Sequence, residues 1–415
     1  MNDSHVVPLR QPSDALVARL ALIDAAKTSL ELQYYLWASD VVGYLLLNRL
    51  IAAADRGTSV RILVDDLKFR RRSHSVASLC RHPNIEIRLF NPWRRRSSAA
   101  AQGFEFLRRF SRLDHRMHNK LLVADDKQAI FGGRNIAVEY YQLETTGEFI
   151  DFDMLSTGPI VKDVSAQFDT YWNHKLAVPM EVLFAKDRSE KIERARALIT
   201  REMAEAGDSI YGDAINTPLM RRFFEQSLDP YIADARLITD DPQKLLEQVS
   251  GDQQVVVNEM REVLAAAERE IYIFTPYFIP RKRGIEFIKE LRAKGIRIVL
   301  LTNSLATNNH TPVHSHYSSY RKDLLRAGVE LWEARADAAK ITTPDGQTGL
   351  DQLTLHTKGI LIDGERIFVG SLNLDPRSID INTEMGLLID SPELGEQRMN
   401  DAIERVPKIG YRRRL

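Results

Sequence analysis

The sequence predicts an α/β protein with two pseudo-symmetric halves, each a mixed β-sheet flanked by helices, and an active site at the interface between them. The pattern HxKx4Dx6G(G/S)xN occurs twice, beginning at His118 and again at His356. Gly57 precedes the first of these histidines by 61 positions, and Gly295 precedes the second by the same 61. The repeat therefore covers whole halves of the chain, and two copies predict one site built from both.

The first half alternates helices and strands. A helix to about Ala26 is expected with Ser13 as its N-cap, followed by a strand at 29–35, a helix at 41–54 ended by Gly57, and strands at 60–64 and 85–90. This order is a βαβ unit, whose right-handed crossover places helices against a sheet.

The second half repeats the order of the first. We expect a helix at 255–267, a strand at 270–275, a helix at 284–293 ended by Gly295, and strands at 296–301 and 329–333. The predicted domains are a first half at 1–178, a helical connector at 179–250 and a second half at 251–415.

Each motif predicts a β-hairpin. Apolar runs at 121–124 and 359–362 are followed by turns and by second apolar runs at 128–131 and 366–369. His118 and Lys120, like His356 and Lys358, are two residues apart and so face the same side of an extended strand. One copy alone could be a half-buried histidine beside a solvated lysine, but two copies with matching tails favour a shared chemical site.

Composition narrows the function classes. The chain has 415 residues, 44% of them hydrophobic, with 57 basic and 57 acidic side chains. A protein that binds nucleic acid through bulk charge is usually basic, so nucleic acid is a disfavoured partner. Cys80 is the single cysteine, which excludes an intramolecular disulfide and a cysteine-based metal site. No signal peptide is expected, and the most apolar helix candidate, at 41–54, is too short to span a bilayer.

Two segments leave alternatives open. Residues 90–96 and 104–110 interleave aromatic residues with arginines, a pattern that fits an anionic lipid surface, nucleic acid or a plain solvated loop. We favour membrane contact by the loop at 92–110. Residues 308–321 carry His310, His314 and His316, which could form a metal cluster but are better interpreted as part of a polar loop that lines a pocket.

The paired motif resembles that of the phospholipase D superfamily, over nearly the whole chain. Further strings resemble the bacterial cardiolipin synthase branch, and within it the third type, which lacks the N-terminal membrane helices of the first: 32–37 (LQYYLW), 240–244 (DDPQK), 320–325 (YRKDLL) and 373–378 (NLDPRS). One departure is Gly133, where many members of the superfamily have serine.

The resemblance implies which residues act. The implied catalytic set is His118, Lys120, Asp125, His356, Lys358 and Asp363. One histidine would form a phosphohistidine while the other acts as acid and base, and the usual order in the family makes His118 the nucleophile. Because imidazole titrates near neutral pH, one histidine could start neutral and the other charged.

The remaining members of the predicted site are assigned supporting roles. Asp125 and Asp363 belong to the motif but are interpreted as turn-forming and structural. Asn135 and Asn373 are expected to bind phosphate, and the two lysines to supply fixed positive charge. Asp151, with Asp153 as its competitor, and Glu384 are expected to orient the histidines. No metal and no cofactor is implied.

The implied reaction transfers a phosphatidyl group to phosphatidylglycerol, giving cardiolipin, with phosphatidylglycerol or phosphatidylethanolamine as donor. Hydrolysis of phospholipid or nucleic acid is the alternative reaction, and a protein that only binds phosphate head groups or nucleic acid is the alternative without catalysis. The expected location is the periphery of the bacterial inner membrane, with phospholipid substrates and room for a small partner protein.

Overall fold

The computed structural model describes residues 3–67, 76–93, 110–141, 148–184, 192–206, 221–222, 229–246, 254–338 and 353–415. Its strands, numbered in chain order, are β1 Asp3–Leu9, β2 Ser29–Tyr34, β3 Ser59–Asp65, β4 Ile85–Phe90, β5 Leu121–Ala124, β6 Gln128–Gly132, β7 Glu148–Ile150, β8 Asp153–Thr157, β9 Ala177–Pro179, β10 Tyr231–Thr239, β11 Glu270–Phe274, β12 Arg297–Asn303, β13 Glu330–Ala334, β14 Leu353–Leu355, β15 Gly359–Ile362, β16 Arg366–Gly370, β17 Met385–Asp390 and β18 Gly410–Arg412.

The α-helices in the described part of the chain cover both faces of the sheet. They are α1 Pro12–Ala25, α2 Val41–Asp55, α3 Phe110–Asp114, α4 Ile160–Trp172, α5 Met180–Leu183, α6 Ile192–Ala206, α7 Val255–Ala265, α8 Arg281–Ala293, α9 Thr311–Arg326, α10 Pro376–Asp380 and α11 Pro392–Ile409. No helix in the described ranges combines the length and apolar character needed to cross a membrane.

One mixed sheet runs through both halves. Its order is β18-β13-β12-β11-β15-β16-β17-β10-β1-β8-β6-β5-β2-β3-β4-β9. The two halves of this order match strand for strand about the β1–β10 pair, which is antiparallel. Strands β2, β3 and β4 are parallel, as are β11, β12 and β13. The predicted fold class is therefore confirmed, and the two halves share a continuous backbone hydrogen-bond network.

The hydrophobic core has three parts. One part belongs to the first half and packs α1 and α2 on one face of its sheet, and another belongs to the second half and packs α7, α8 and α9. The third lies on the opposite face, beneath α4 and α11, and contains residues of both halves, from Val6 and Phe168 to Leu361 and Val406. Because both halves contribute side chains to this third core, burial of those side chains holds the two halves in a fixed relation.

Most predicted elements are present, and their glycine stops behave as expected. Gly57 and Gly295 adopt φ values of +99° and +86°, the left-handed geometry that ends a helix at glycine. One predicted cap is wrong. The N-cap of α1 is Gln11, whose side chain makes no capping hydrogen bond. Because Pro12 is favoured in the first turn, the helix starts earlier than predicted.

The segment predicted as a helical connector at 179–250 also contains a strand. β10 has nine residues and pairs with β1 on one side and β17 on the other. The helical prediction is wrong there because the charge of this segment hides the alternation of the strand, in which Ala233, Ala235 and Leu237 face the core and Asp234 and Arg236 face the other side. The other boundaries of the connector stay a prediction.

The stretch at 308–321 is not the predicted loop. Thr311–Arg326 forms a 16-residue helix with Pro312 in its first turn. Tyr317 and Leu324, seven positions apart, are buried on one face, a helical spacing that the histidines obscured. Of the loop predicted to contact a membrane, residues 94–109 lie outside the described part of the chain.

Candidate active site

The two histidines sit at the entrances of the hairpins that the motifs predict. His118 lies three residues before β5, and His356 three residues before β15. A side chain at the end of a neighbouring parallel strand fixes the backbone just before each one. Asp65 Oδ2 accepts from Met117 N at 3.1 Å, and Asn303 Oδ1 accepts from Leu355 N at 2.9 Å. The same kind of hydrogen bond, from a backbone N–H to a side chain at a strand end, therefore positions both histidines.

Each histidine is held by the opposite half of the molecule. His118 N donates to Thr383 O at 3.0 Å, and its Nδ1 lies 2.8 Å from Glu384 Oε2. His356 N donates to Ile150 O at 2.8 Å, and its Nδ1 lies 2.5 Å from Asp151 Oδ2. With Nδ1 bound to a carboxylate, Nε2 is the nitrogen of each ring that can serve a reacting group. The site is complete only when both halves are present.

Glu384 is held by hydroxyl groups from its own half. Ser371 Oγ donates to Oε2 at 2.5 Å, and Ser378 Oγ donates to Oε1 at 2.6 Å. Its backbone N–H donates to Asp240 Oδ2 at 3.1 Å, and Asp240 is itself paired with Lys244 at 2.8 Å. Every atom of the carboxylate that faces protein therefore has a partner, which fixes the carboxylate against His118.

Asp151 is held differently. Its Oδ1 accepts from Phe152 N at 2.8 Å, and a Cβ at Gly133 would overlap its carboxylate. The departure at this position, glycine where many members of the superfamily have serine, thus makes room for the shorter acid. The competing candidate Asp153 is paired with Arg19 at 2.9 Å and Arg134 at 3.3 Å. Asp151 is therefore the carboxylate that meets a histidine.

Both lysines are buried with the histidines. Lys120 Nζ donates to His118 O at 2.5 Å. Lys358 Nζ lies 2.8 Å from His356 Nδ1 and 3.1 Å from Nε2. Burial lowers the pKa of Lys120 to about 7 and that of Lys358 to about 8. In their protonated form the two lysines attract an anion strongly, and a bound anion in turn favours the protonated form.

The surroundings of both histidines lower their pKa values. Burial, opposed by Glu384 and reinforced by Lys120, lowers the pKa of His118 to about 4. Burial and Lys358, opposed by Asp151, lower the pKa of His356 to about 3. These shifts run against the expectation that one histidine starts charged, because desolvation and the neighbouring lysines outweigh the carboxylates. That Lys358 also acts on His118, and Lys120 on His356, shows that the two motifs share one electrostatic site.

Aromatic rings cover the histidines on both sides. The Tyr35 ring stands edge-on to His118 with centroids 4.9 Å apart. On the other side, Tyr140 and Phe149 have centroids 5.1 and 4.9 Å from that of His356. These rings restrict water around the imidazoles, which is consistent with the lowered pKa values.

The two predicted phosphate ligands differ in what they touch. Asn135 Oδ1 accepts from Leu36 N at 3.2 Å, and its Nδ2 donates to Tyr140 Oη at 2.8 Å. The backbone N–H of Asn373 donates to Ser378 Oγ at 3.3 Å, and its buried Oδ1 has no partner in the described chain. Asn135 is thus engaged within the protein, whereas the Asn373 carboxamide oxygen is not.

The motif aspartates lie away from the histidines, at the hairpin turns. Asp125 accepts from the backbone N–H groups of residues 27–29, and Asp363 from those of residues 268–270. Both adopt left-handed φ values, +54° and +56°. Burial raises the pKa of Asp125, but the backbone donors outweigh it and lower the pKa to about 2. Their membership in the catalytic set is thus corrected: each carboxylate anchors the start of β2 or β11 and does not reach the site.

Sequence reasoning missed several members of the site. Asp65 and Asn303 have no recognisable motif, although each ends a strand at the same position of the repeat. Ser378 and Asp240 lie in strings that were noted only for their resemblance. Aligning the two halves residue by residue could have identified the first pair. No group of three or more histidine, cysteine, aspartate or glutamate side chains in the described ranges is placed to hold a metal ion.

Comparison with known proteins shows similarity in sequence and in fold. The family described as "Cardiolipin synthase, PLD-like domain" matches residues 20–172 and 260–405. Cardiolipin synthase C of Escherichia coli K12 is 35% identical over 400 residues, which is 94% of this chain and 82% of that protein. The major cardiolipin synthase ClsA of Bacillus subtilis is 24% identical, over 93% of this chain and 66% of that protein.

The fold is also found in a solved structure. The crystal structure of a phosphatidylserine synthase from Haemophilus influenzae matches 99% of this chain and 87% of that one, with a TM-score of 0.66 and 14% identity. At this identity the match supports the two-half architecture and no particular substrate.

Proposed function

The chain belongs to the cardiolipin synthase, PLD-like domain family, and from this membership we propose that it is a phosphatidyltransferase that makes cardiolipin from phosphatidylglycerol and a second phospholipid. The observation that carries the proposal is the crosswise pair His118–Glu384 and His356–Asp151, beside two buried lysines. Such a site binds a phosphodiester, supplies a nucleophile on one side and places an acid and base on the other.

In the first proposed step, His118 Nε2 attacks phosphorus. The bond from phosphorus to the leaving oxygen breaks, and protonated His356 gives its proton to that oxygen, so a free alcohol departs. The phosphatidyl group is then held on His118. Glu384 on Nδ1 keeps Nε2 unprotonated for attack and stabilises the positive charge that develops on the ring.

In the second step His356 acts as the base, and His118 is the leaving group. His356, now neutral, takes the proton of a phosphatidylglycerol hydroxyl, whose oxygen attacks phosphorus. The phosphorus–nitrogen bond breaks and regenerates His118. When phosphatidylglycerol is the acceptor the product is cardiolipin, and when water is the acceptor the product is phosphatidic acid.

The proposed chemistry requires a proton on His356, whose pKa is lowered by burial and by Lys358. A phosphodiester anion between Lys120 and Lys358 offsets their charge and so raises the pKa of both histidines. Substrate binding is therefore coupled to proton uptake, and His356 becomes an acid only when a phosphate group is present. The same two lysines stabilise the additional negative charge of the transition state.

The finer assignments complete the proposal. We take phosphatidylglycerol as acceptor and either phosphatidylglycerol or phosphatidylethanolamine as donor. Because both substrates reside in a bilayer, the protein works at the periphery of the inner membrane, with or without a small partner protein.

The test is an incubation of the purified chain, in chelator, with vesicles of phosphatidylglycerol alone or mixed with phosphatidylethanolamine, with products measured by mass spectrometry. Cardiolipin is expected from the wild type and not from His118→Ala. A requirement for phosphatidylethanolamine would identify that lipid as the donor.

Other products would revise the proposal. Phosphatidic acid without cardiolipin would make the chain a hydrolase. Absence of any lipid product, both alone and with a membrane extract that supplies partner proteins, would contradict the lipid assignment.

A further inference from the structure

In the described part of the chain Tyr35 is the tyrosine whose ring contacts His118, and its place in the site is not explained by the paired motif. Its ring stands edge-on to the imidazole at 4.9 Å between centroids, and Lys120 Nζ lies 5.5 Å from the centre of the same ring. The residue follows the last position of β2, so the parallel sheet directs it toward the end where both motifs converge.

The hydroxyl of Tyr35 makes no hydrogen bond to the residues that the structure describes, and the residue is partly exposed. Tyr140, the tyrosine beside His356, differs in this respect because its hydroxyl accepts from Asn135 at 2.8 Å. The Tyr35 hydroxyl is therefore available to a bound ligand, and in a site that contains a histidine and a lysine the fitting acceptor is an anionic oxygen.

Asn135 is only partly available as a neutral donor. Its carboxamide oxygen accepts from Leu36 N and one of its two N–H groups donates to Tyr140. The bond to Leu36 N holds the backbone immediately after Tyr35. Asn135 therefore positions the segment that carries Tyr35, and the tyrosine hydroxyl is a further neutral donor on that segment.

The repeat does not provide a second copy of this residue. Counting from the strand starts that Asp125 and Asp363 anchor, Ser29 corresponds to Glu270, so Tyr35 corresponds to Pro276. Pro276 has no side-chain donor. A function of Tyr35 is thus specific to the His118 side.

We propose that the Tyr35 hydroxyl donates a hydrogen bond to a phosphoryl oxygen of the bound phosphodiester, beside His118 and Lys120. This assignment rests on the proposed function for the identity of the substrate, but it requires only that the site binds a phosphate group. Burial raises the pKa of Tyr35 to about 12, so the phenol keeps its proton, and its contribution is constant between about pH 6 and pH 9.

The first test measures binding of inorganic phosphate to the full chain by calorimetry. Tyr35→Phe keeps the ring and removes only the hydroxyl, so its melting temperature should equal that of the wild type while its phosphate affinity falls about tenfold, the usual effect of losing a hydrogen bond to a charged group. Tyr272→Phe is the matched control. It removes a hydroxyl in the middle of β11 that accepts from Arg297, and this variant should bind phosphate as the wild type does.

The second test measures kcat/KM with the lipid substrates at pH 6, 7, 8 and 9. We expect the same fold-reduction in Tyr35→Phe at each pH. Equal phosphate affinity and equal kcat/KM in wild type and Tyr35→Phe would overturn the assignment, as would absence of phosphate binding by the wild type. If the wild type makes no lipid product but its phosphate binding still depends on the Tyr35 hydroxyl, the proposed function fails and the Tyr35 assignment stands.

Discussion

The two histidine sites descend from one repeat, yet they hold their carboxylates by different means. On the His118 side, a glutamate is fixed by the hydroxyls of Ser371 and Ser378. On the His356 side, the shorter Asp151 occupies space that only glycine at position 133 leaves open. Both arrangements end in the same Nδ1–carboxylate hydrogen bond.

This difference shows that the length of the acidic side chain and the size of the motif residue beside it are matched on each side. Ser371 is a donor that the longer acid can meet, whereas the same side chain at position 133 would occupy the place of Asp151. The variation G(G/S) within the motif is therefore a structural consequence of which acid follows, and exchanging one member without the other should break the site.

The largest expected effect comes from removing either histidine, because no other group replaces a nucleophile or its acid and base. We expect His118→Ala and His356→Ala each to reduce cardiolipin formation by at least about a thousandfold. Initial rates by mass spectrometry measure this. A variant that keeps more than a tenth of the wild-type rate would remove that histidine from the mechanism.

A smaller but asymmetric effect is expected from exchanging the small residues of the motif. Gly133→Ser should displace Asp151 and lower activity about a hundredfold, with a loss of about 2 kcal/mol in stability from overpacking. Ser371→Gly removes one of two hydroxyls and should lower activity about tenfold. Equal effects of the two substitutions, in rate assays and thermal melts, would contradict the fitted-pair account.

A still smaller effect is expected from the second serine. Ser378→Ala removes the donor to Glu384 Oε1 while Ser371 remains, so we expect a loss of severalfold in kcat with KM nearly unchanged. Thr170→Ala is a suitable control, since that exposed hydroxyl donates only to Ala166 O. A change confined to KM would indicate that Ser378 acts on the substrate and not on Glu384.

The smallest effect concerns pH. The folded pKa values of His118 and His356, about 4 and 3, lie below the unfolded value of about 6.5. The unfolded chain therefore binds more protons between these values, so stability is fully present above pH 6.5 and is lost as the pH falls toward 4. Between pH 7 and pH 4.5, the melting temperature of His356→Gln should fall by a few degrees less than that of the wild type. Parallel curves for the two proteins would mean that His356 is not buried in its neutral form.

Much of the fold could be predicted from sequence because the same order of helices and strands occurs in both halves. The hairpin strands β5 and β15 have the predicted bounds, since short apolar runs beside turn residues leave little freedom. The failures lie where one pattern hid another. Histidines obscured the amphipathic spacing of α9, and charged residues obscured the alternation of β10.

The site could be predicted less completely than the fold. The motif identified the histidines and lysines, and the resemblance supplied Asp151 and Glu384. That each acid crosses to the histidine of the other half could not be predicted, because the pairs are 266 and 205 residues apart in sequence. The hydrogen bonds of Asn135 could not be predicted either, because its partners Leu36 and Tyr140 belong to two different segments.

The central claim is that the two halves divide the chemistry, with His118 carrying the phosphatidyl group and His356 moving the proton. The most direct measurement is to incubate the wild type and His118→Ala with phosphatidylglycerol, quench and digest the protein at alkaline pH, and map the modified peptide by mass spectrometry. The account predicts a phosphatidyl adduct on the peptide that contains His118 in the wild type, and no adduct in His118→Ala. An adduct on His356 in His118→Ala, with none on His118, would contradict it.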